Sequence, residues 1–170
     1  IIGPNITYFY NHSLFLQAIE VFASNITATV GYLTDFCNST SGWILGNVPH
    51  RLPGGEKIKT SGYNTSQMLE GNLSTLLFFN LDPDNDFYNS SALVNALQKS
   101  SCNIFFTSFT TPLIEKYADF IIPITTYAET DGSYINIEGK FQTFNKVIQA
   151  DKFTFEGWQA LNELCIKSLR

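Results

Sequence analysis

Cysteine is scarce in this chain. Cys37, Cys102 and Cys165 are the only three in 170 residues, far apart and never in a Cys-x-x-Cys pair. Neither His12 nor His50 stands at zinc-site spacing from any of them. That excludes a zinc module, a disulfide framework and an iron–sulfur cluster ligated by four thiolates of this chain alone. The expectation is buried, small, apolar-like thiols in a reducing compartment. Positive charge is equally thin: 10 Lys and Arg stand against 15 Asp and Glu, a formal net charge of −5. The densest basic group, Arg51, Lys57 and Lys59, has Glu56 among it. Counterion release on a phosphate backbone needs several positioned cations, so nucleic acid is a poor partner. No apolar run approaches the ~20 residues that span a bilayer, so direct membrane insertion is not expected. Pro4 and Asn5 interrupt the first ten residues, which therefore do not form a signal h-region. A start at Ile1 rather than Met reads as a processed or excised piece.

What is present is core material. Apolar residues make up 44% of the chain and aromatics 15%. The length favours one domain over 1–170, in which a compact fold buries ~70% of the surface its unfolded form exposes. Asn5, Asn25, Asn38, Asn64 and Asn72 each begin an N-x-[ST] sequon. Without a disulfide framework, chance in a chain rich in Asn, Ser and Thr explains them better than secretion.

The clearest pattern lies in the middle. Thr75–Asn80 is a continuous apolar run, as in a strand buried on both faces. Asp82-Pro83-Asp84-Asn85-Asp86 breaks it with turn chemistry. Ser90 is expected to cap a helix from Ser91 to Lys99. Cys102–Thr107 reads as a second buried strand, Pro112–Lys116 as a short helix and Asp119–Pro123 as a third strand. Strand, helix, strand, helix, strand argues for a parallel sheet covered on both faces. Upstream, Ile1–Asn5 is a strand candidate. Ser13–Ser24 reads as a helix buried over much of its circumference, capped by Asn11 or Ser13. Residues 27–67 are glycine-rich and read as an irregular segment, with a short helix near Gly42–Gly46. Asn64–Leu69 starts a brief helix. Ser133–Phe144 alternates in two short runs joined at Glu138-Gly139, a hairpin signal. Phe155–Leu169 has helical spacing.

Few residues in this pattern carry obvious chemistry. His50 and Arg51 pair an imidazole with a cation in a glycine-rich loop, a combination suited to holding a phosphate. No G-x-G-x-x-G or G-x-x-x-x-G-K-[ST] motif supports that use, and a loop contact or subunit interface is the stronger reading. Asp119 stands at a strand edge as a weak cofactor contact or a turn residue. Pro123 either shapes a crevice at a strand's carboxyl end or stops the strand. Glu129, Asp131 and Glu138 have no nearby His or Cys to serve as acid–base partners. Gly132, Asn136 and Gly139 read as backbone-shaping positions. No catalytic residue and no metal ligand is assigned.

Two blocks carry a resemblance. Tyr117-Ala118-Asp119-Phe120-Ile121-Ile122-Pro123 and then Tyr127 to Gln142 resemble a signature of the molybdopterin oxidoreductase superfamily. Its elements are alanine–aspartate, apolar residues, proline, then spaced Glu, Gly, Asn, Glu-Gly and Gln. Phe155-Glu156-Gly157-Trp158 with Leu161 and Leu164 is similar to the family's downstream helix. Gly46 to Gly55, with Gly62-Tyr63-Asn64 and Met68-Leu69, resembles the large (75 kDa) peripheral-arm branch of the proton-pumping NADH–quinone oxidoreductases, or complex I.

The resemblance implies an α/β fold: the three-layer, Rossmann-like parallel sheet of the molybdopterin oxidoreductase domain, with a C-terminal hairpin and helix. It implies a non-catalytic scaffold among the other peripheral-arm subunits of complex I, with no cofactor in this stretch and iron–sulfur clusters in an upstream part of the same polypeptide. The setting implied is the inner face of the bacterial inner membrane, or the mitochondrial matrix side, held there through the complex. The competing reading is a piece of an active molybdenum enzyme, such as a formate dehydrogenase.

Overall fold

A computed structural model of the chain describes residues 1–168. It forms two compact units. One comprises Ile1–Ser61 with Ser133–Thr143; the other comprises Gly62–Gly132 and the chain from Phe144 onward.

The second unit holds the layered fold that the sequence predicts. Strands β1 (Thr75–Phe79), β2 (Cys102–Thr107) and β3 (Phe120–Pro123) form a parallel sheet in the order β1-β2-β3. The register pairs Phe78 with Phe105 and Phe79 with Phe106, and then Ile122 with Phe106. Side chains alternate along a strand, so consecutive residues enter opposite layers. Leu76, Phe78 and Phe105 meet Leu93, Ala96 and Leu97 of one helix and Ile114 of another. The first of these is α4 (Ser90–Lys99) and the second α5 (Pro112–Tyr117). Phe78 and Phe105 stack with ring centroids 4.5 Å apart. On the opposite face, Phe106 and Ile124 pack against Ala160 of α6 (Gly157–Ser168). The α/β class, the parallel sheet and the C-terminal helix are therefore as expected. The expected burial on both faces is corrected for the outer strands: Thr75, Leu77 and Phe79 of β1 and Phe120, Ile121 and Pro123 of β3 are exposed, and only the central β2 is enclosed on both sides.

Boundaries differ from the sequence reading by local chemistry. Asn80 still donates its N–H to Phe106 O at 2.7 Å but takes φ +50, so the extended strand β1 ends one residue early. The cap of α4 is Asn89, whose Oδ1 accepts the Ala92 N–H at 3.0 Å, rather than Ser90. Helix α6 starts two residues late because Phe155 is paired beside Ile124 in a parallel bridge. The predicted Leu169 end lies outside the described residues. The brief helix at Asn64 is α3 (Thr65–Glu70), closed by a reciprocal capping box between Asn64 and Gln67.

The first unit departs further from expectation. Pro4 lacks an N–H and opens a 3-10 turn over Pro4–Tyr8, which limits the expected N-terminal strand to one bridge between Ile2 and Tyr32. Helix α1 (His12–Asn25) forms, but its only buried residue is Ala23; Leu14, Phe15, Val21 and Phe22 are exposed. The expected burial around its circumference is thus corrected: no described layer covers those faces. Asn11 occupies the cap position without a side-chain cap bond. Residues 27–67 are largely irregular, interrupted by α2 (Ser39–Ile44) and a 3-10 turn at Pro53–Gly55. The predicted hairpin appears as β4 (Gly132–Ile135) and β5 (Phe141–Phe144), a two-stranded sheet turning through Asn136–Lys140. Asn38 Oδ1 accepts the Ile135 N–H at 3.1 Å, tying the hairpin to the start of α2.

Burial sets an expected contrast. Leu93→Ala, at a fully buried site, should cost about 2–5 kcal/mol, whereas Leu14→Ala on α1 should stay within about 0.5 kcal/mol. Urea unfolding, read from Trp158 fluorescence in a Trp43→Phe background for Leu93→Ala and from Trp43 in a Trp158→Phe background for Leu14→Ala, tests both. Equal losses at the two sites would overturn the assigned layers.

Candidate functional site

Open α/β sheets present ligands outside the carboxyl ends of their strands, so that edge is the first place to look. Here it is built by the residues after β1, β2 and β3. Thr107 Oγ1 donates to Phe109 O at 2.7 Å and accepts the Phe109 N–H at 3.2 Å. Ser108 Oγ donates to Thr125 O at 3.0 Å. The Thr125 and Thr130 hydroxyls bond each other at 2.6 Å, and Thr130 also donates to Thr126 O. Thr126 offers both its backbone N–H and its hydroxyl to Glu129 Oε2, at 2.9 and 2.8 Å. These two bonds, the backbone one first, hold the Glu129 carboxyl below its ordinary value of 4.5. After β1, Asp82 takes the side-chain N–H of Asn85 and the backbone N–H of Asp84, which lower its pKa in that order. The edge is thus a set of closed turns. Its hydroxyls and carboxylates bind the loops themselves.

The opposite, amino-terminal edge contains the most buried polar side chain of the second unit, Asn103. Its Nδ2 donates to Leu97 O at 2.9 Å and to Tyr117 O at 3.1 Å. Its Oδ1 accepts from Ser100 Oγ at 2.6 Å. Its backbone N–H goes to Asp119 Oδ2 at 2.7 Å, while the Asp119 N–H returns to Asn103 O at 2.9 Å. Asp119 therefore pins the start of β3 to the start of β2. The sequence points to Asp119 by its place at a strand edge and gives only a faint sign of Asn103: a lone Asn in an apolar strand, which the sequence reading missed.

His50 and Arg51 lie in the first unit and Asp119 in the second. The His50 ring meets Trp43 edge-on at 5.4 Å. Arg51 Nη1 donates to Gly55 O at 3.3 Å, closing the turn that Gly54 and Gly55 make with positive φ. Gly46 is required by close approach: a Cβ there would lie 2.6 Å from backbone atoms of Leu52 and Pro53.

The signature residues have local tasks. Pro123 sits where its missing N–H would point away from β2, and its carbonyl accepts from Phe155 at 3.3 Å. Asp131 Oδ1 accepts the Lys146 N–H at 2.6 Å, and Lys146 Nζ reaches Glu156 at 3.3 Å. A Cβ on Gly132 would strike the Phe144 ring at 2.4 Å. Asn136 Oδ1 accepts the N–H groups of Glu138 and Lys140, and Gly139 takes φ +78 in that turn.

The family implied by that signature is named for a phosphate-bearing pterin that holds molybdenum through sulfur. The carboxyl edge is a poor match for it. Asp82, Asp84, Asp86 and Glu129 give it negative charge, and its hydroxyl donors are already used. Cys102 starts β2, at the other edge, and is half-buried, while Cys37 and Cys165 are exposed, so the expected burial of the thiols is corrected. No group of three or more His, Cys, Asp or Glu among the described residues is placed to hold a metal ion. No described helix is long and apolar enough to cross a membrane.

Asn103→Ala strands the carbonyls of Leu97 and Tyr117, so it should destabilise the second unit by about 1–3 kcal/mol in urea unfolding. A loss no larger than that of exposed Gln98→Ala would remove the pinning role. Gly139→Val forces a β-branched residue to positive φ and should cost about 1–3 kcal/mol; unchanged melting would contradict the turn. Glu129 is stabilising above its unfolded pKa, and that contribution fades as pH falls through the lower folded value. Glu129→Gln should therefore lower the melting temperature at pH 7 more than at pH 3. A pH-independent difference would contradict the Thr126–Glu129 bonds.

No curated protein matches the chain. Residues 1–167 match the Molybdopterin oxidoreductase family, nearly the whole length. The fold, the ordered signature and this match agree: the chain belongs to the molybdopterin oxidoreductase family.

Proposed function

We infer that this chain is a scaffold domain of the large peripheral-arm polypeptide of an NADH–quinone oxidoreductase, and that it catalyses nothing itself. The observation that carries the reading is the carboxyl edge of the sheet, where Thr107, Ser108, Thr125, Thr126 and Thr130 spend their hydroxyls on neighbouring loops. An edge preorganised for a ligand keeps donors aimed outward. The resemblance of Gly46–Gly55 to that complex I branch supports the same assignment. In this reading the iron–sulfur clusters belong to an upstream part of the polypeptide. The partners are the neighbouring peripheral-arm subunits, and the membrane is reached only through them, on the cytoplasmic or matrix side.

A formate dehydrogenase-like enzyme belongs to the same family and makes the opposite prediction about metal. The test is elemental and pterin analysis of the full-length protein from its source, with NADH–quinone reductase activity followed through purification. Co-purification with that activity and molybdenum well below stoichiometric is expected. Stoichiometric molybdenum with bound pterin would falsify the scaffold reading.

A further inference from the structure

The chain that leads into α6 runs beside the loop that follows β3, and charge ties its two ends together. Lys146 starts this segment and Glu156 finishes it, ten residues on; the Lys146 ammonium lies 3.3 Å from the Glu156 carboxylate. Asp131 takes the Lys146 backbone N–H at 2.6 Å and stands 3.8 Å from its ammonium. The Trp158 indole N–H holds the second Glu156 oxygen at 2.8 Å. The Lys146 and Glu156 side chains are 33% and 15% exposed, so water screens this pair less than an ordinary surface pair.

The backbone bonds are confined to the same two ends. Val147 and Ile148 both donate to Ala128 O, at 2.8 and 3.1 Å. At the far end the Phe155 N–H reaches Pro123 O at 3.3 Å, and its carbonyl takes the Thr125 N–H at 2.9 Å. Between them, among the described residues, the hydrogen bonds of residues 149–154 stay within the segment. The Asp151 carbonyl accepts from the N–H and hydroxyl of Thr154, and its carboxylate accepts the Phe153 N–H at 3.0 Å. Val147 and Phe153 are 87% and 83% exposed, and neither core cluster includes them. One charge works against closure. The bonds from Thr126 hold the Glu129 carboxyl low, while burial and the like charge of Asp151 oppose them, so Asp151 and Glu129 repel.

We propose that residues 146–156 form a latched strap, which opens as one unit while the sheet stays folded, with the Lys146 ammonium as its latch. A segment anchored at its ends, exposed in its middle and carrying a like-charge repulsion belongs to the low-stability end of a fold; β2, enclosed on both faces, belongs to the high end. Because one cation joins the first residue of the strap to the last, its release frees both ends together. Opening bares Pro123 O and the Thr125 N–H at the carboxyl edge of the sheet. Latch, strap and seat all lie in the second unit.

Amide exchange of the whole nitrogen-15-labelled chain, followed residue by residue, tests this. The Val147, Ile148, Phe155 and Thr125 amides should share one protection factor, about 100-fold or more below those of Ile104 and Phe106 in β2. Lys146→Met keeps the apolar stem and removes the charge; exchange at all four should rise by at least about tenfold. Lys146→Arg restores the charge and should stay within about threefold of the unsubstituted chain. Asp151→Asn keeps an acceptor for Phe153 and removes the repulsion; exchange at the four should slow by roughly twofold to threefold. The β2 amides should be unchanged in all three variants. Strap amides as well protected as those of β2 would overturn the proposal. So would a rise in Lys146→Met that is as large in β2 as in the strap, or one confined to Val147 and Ile148 with Phe155 and Thr125 unmoved.

Discussion

Phe105 and Phe106 are neighbours in sequence, and the pleat of a strand sends them into opposite layers. The rest of the second unit follows from that constraint. Phe105 can be buried only if α4 and α5 cover one side of β2, and Phe106 only if something covers the other. The covering element for Phe106 is α6, and it approaches so closely that a Cβ on Gly157 would lie 2.7 Å from the Phe79 ring. A strand buried on both faces cannot carry the alternating polar pattern of a half-exposed sheet, which is why the end of β2 reads as an apolar run. Asn103 is the exception, and its polar atoms are bonded to the ends of the helices and strand around it. It fixes where β2 starts, and so which of the two phenylalanines faces which layer.

The parts of the fold legible in the sequence are those governed by short-range patterns. The apolar runs mark β1, β2 and β3 to within a residue, and Pro112, Asn64 and Glu138-Gly139 place two helix starts and a turn. The misses have long-range causes. Composition around α1 is apolar on every side, and sequence alone converts that into burial; the described layers supply no cover for Leu14, Phe15 or Phe22. The start of α6 is misplaced in the sequence because Phe155 pairs with a strand more than thirty residues earlier, a contact that no local window contains. Asn103 escapes notice for a similar reason, since its partners span from Leu97 to Asp119.

The family signature takes on a physical meaning in this geometry. Asp119 joins two strand starts, Pro123 ends a ladder at its outer side, Glu129 closes a turn on Thr126, and Asn136 with Gly139 shapes a hairpin. Gly132 leaves room for an aromatic ring. Each residue type is the one that its backbone position requires. A motif of this kind identifies a fold securely and says little about chemistry, which is why the same signature fits both a molybdenum enzyme and a structural component of a larger assembly. The candidates chosen for chemical character, His50 and Arg51, sit instead in a loop that folds upon itself through Gly46 and Gly55.

The bond between Asn38 and Ile135 closes a loop of 97 residues. A ribosome adds about 5–20 residues each second, so Asn38 leaves the tunnel roughly 5–20 s before the strand it must hold has been made. The segment of the second unit that runs from Gly62 to Gly132 emerges within that interval. The first unit is begun first and completed later, because its hairpin is the last of its parts to be synthesised.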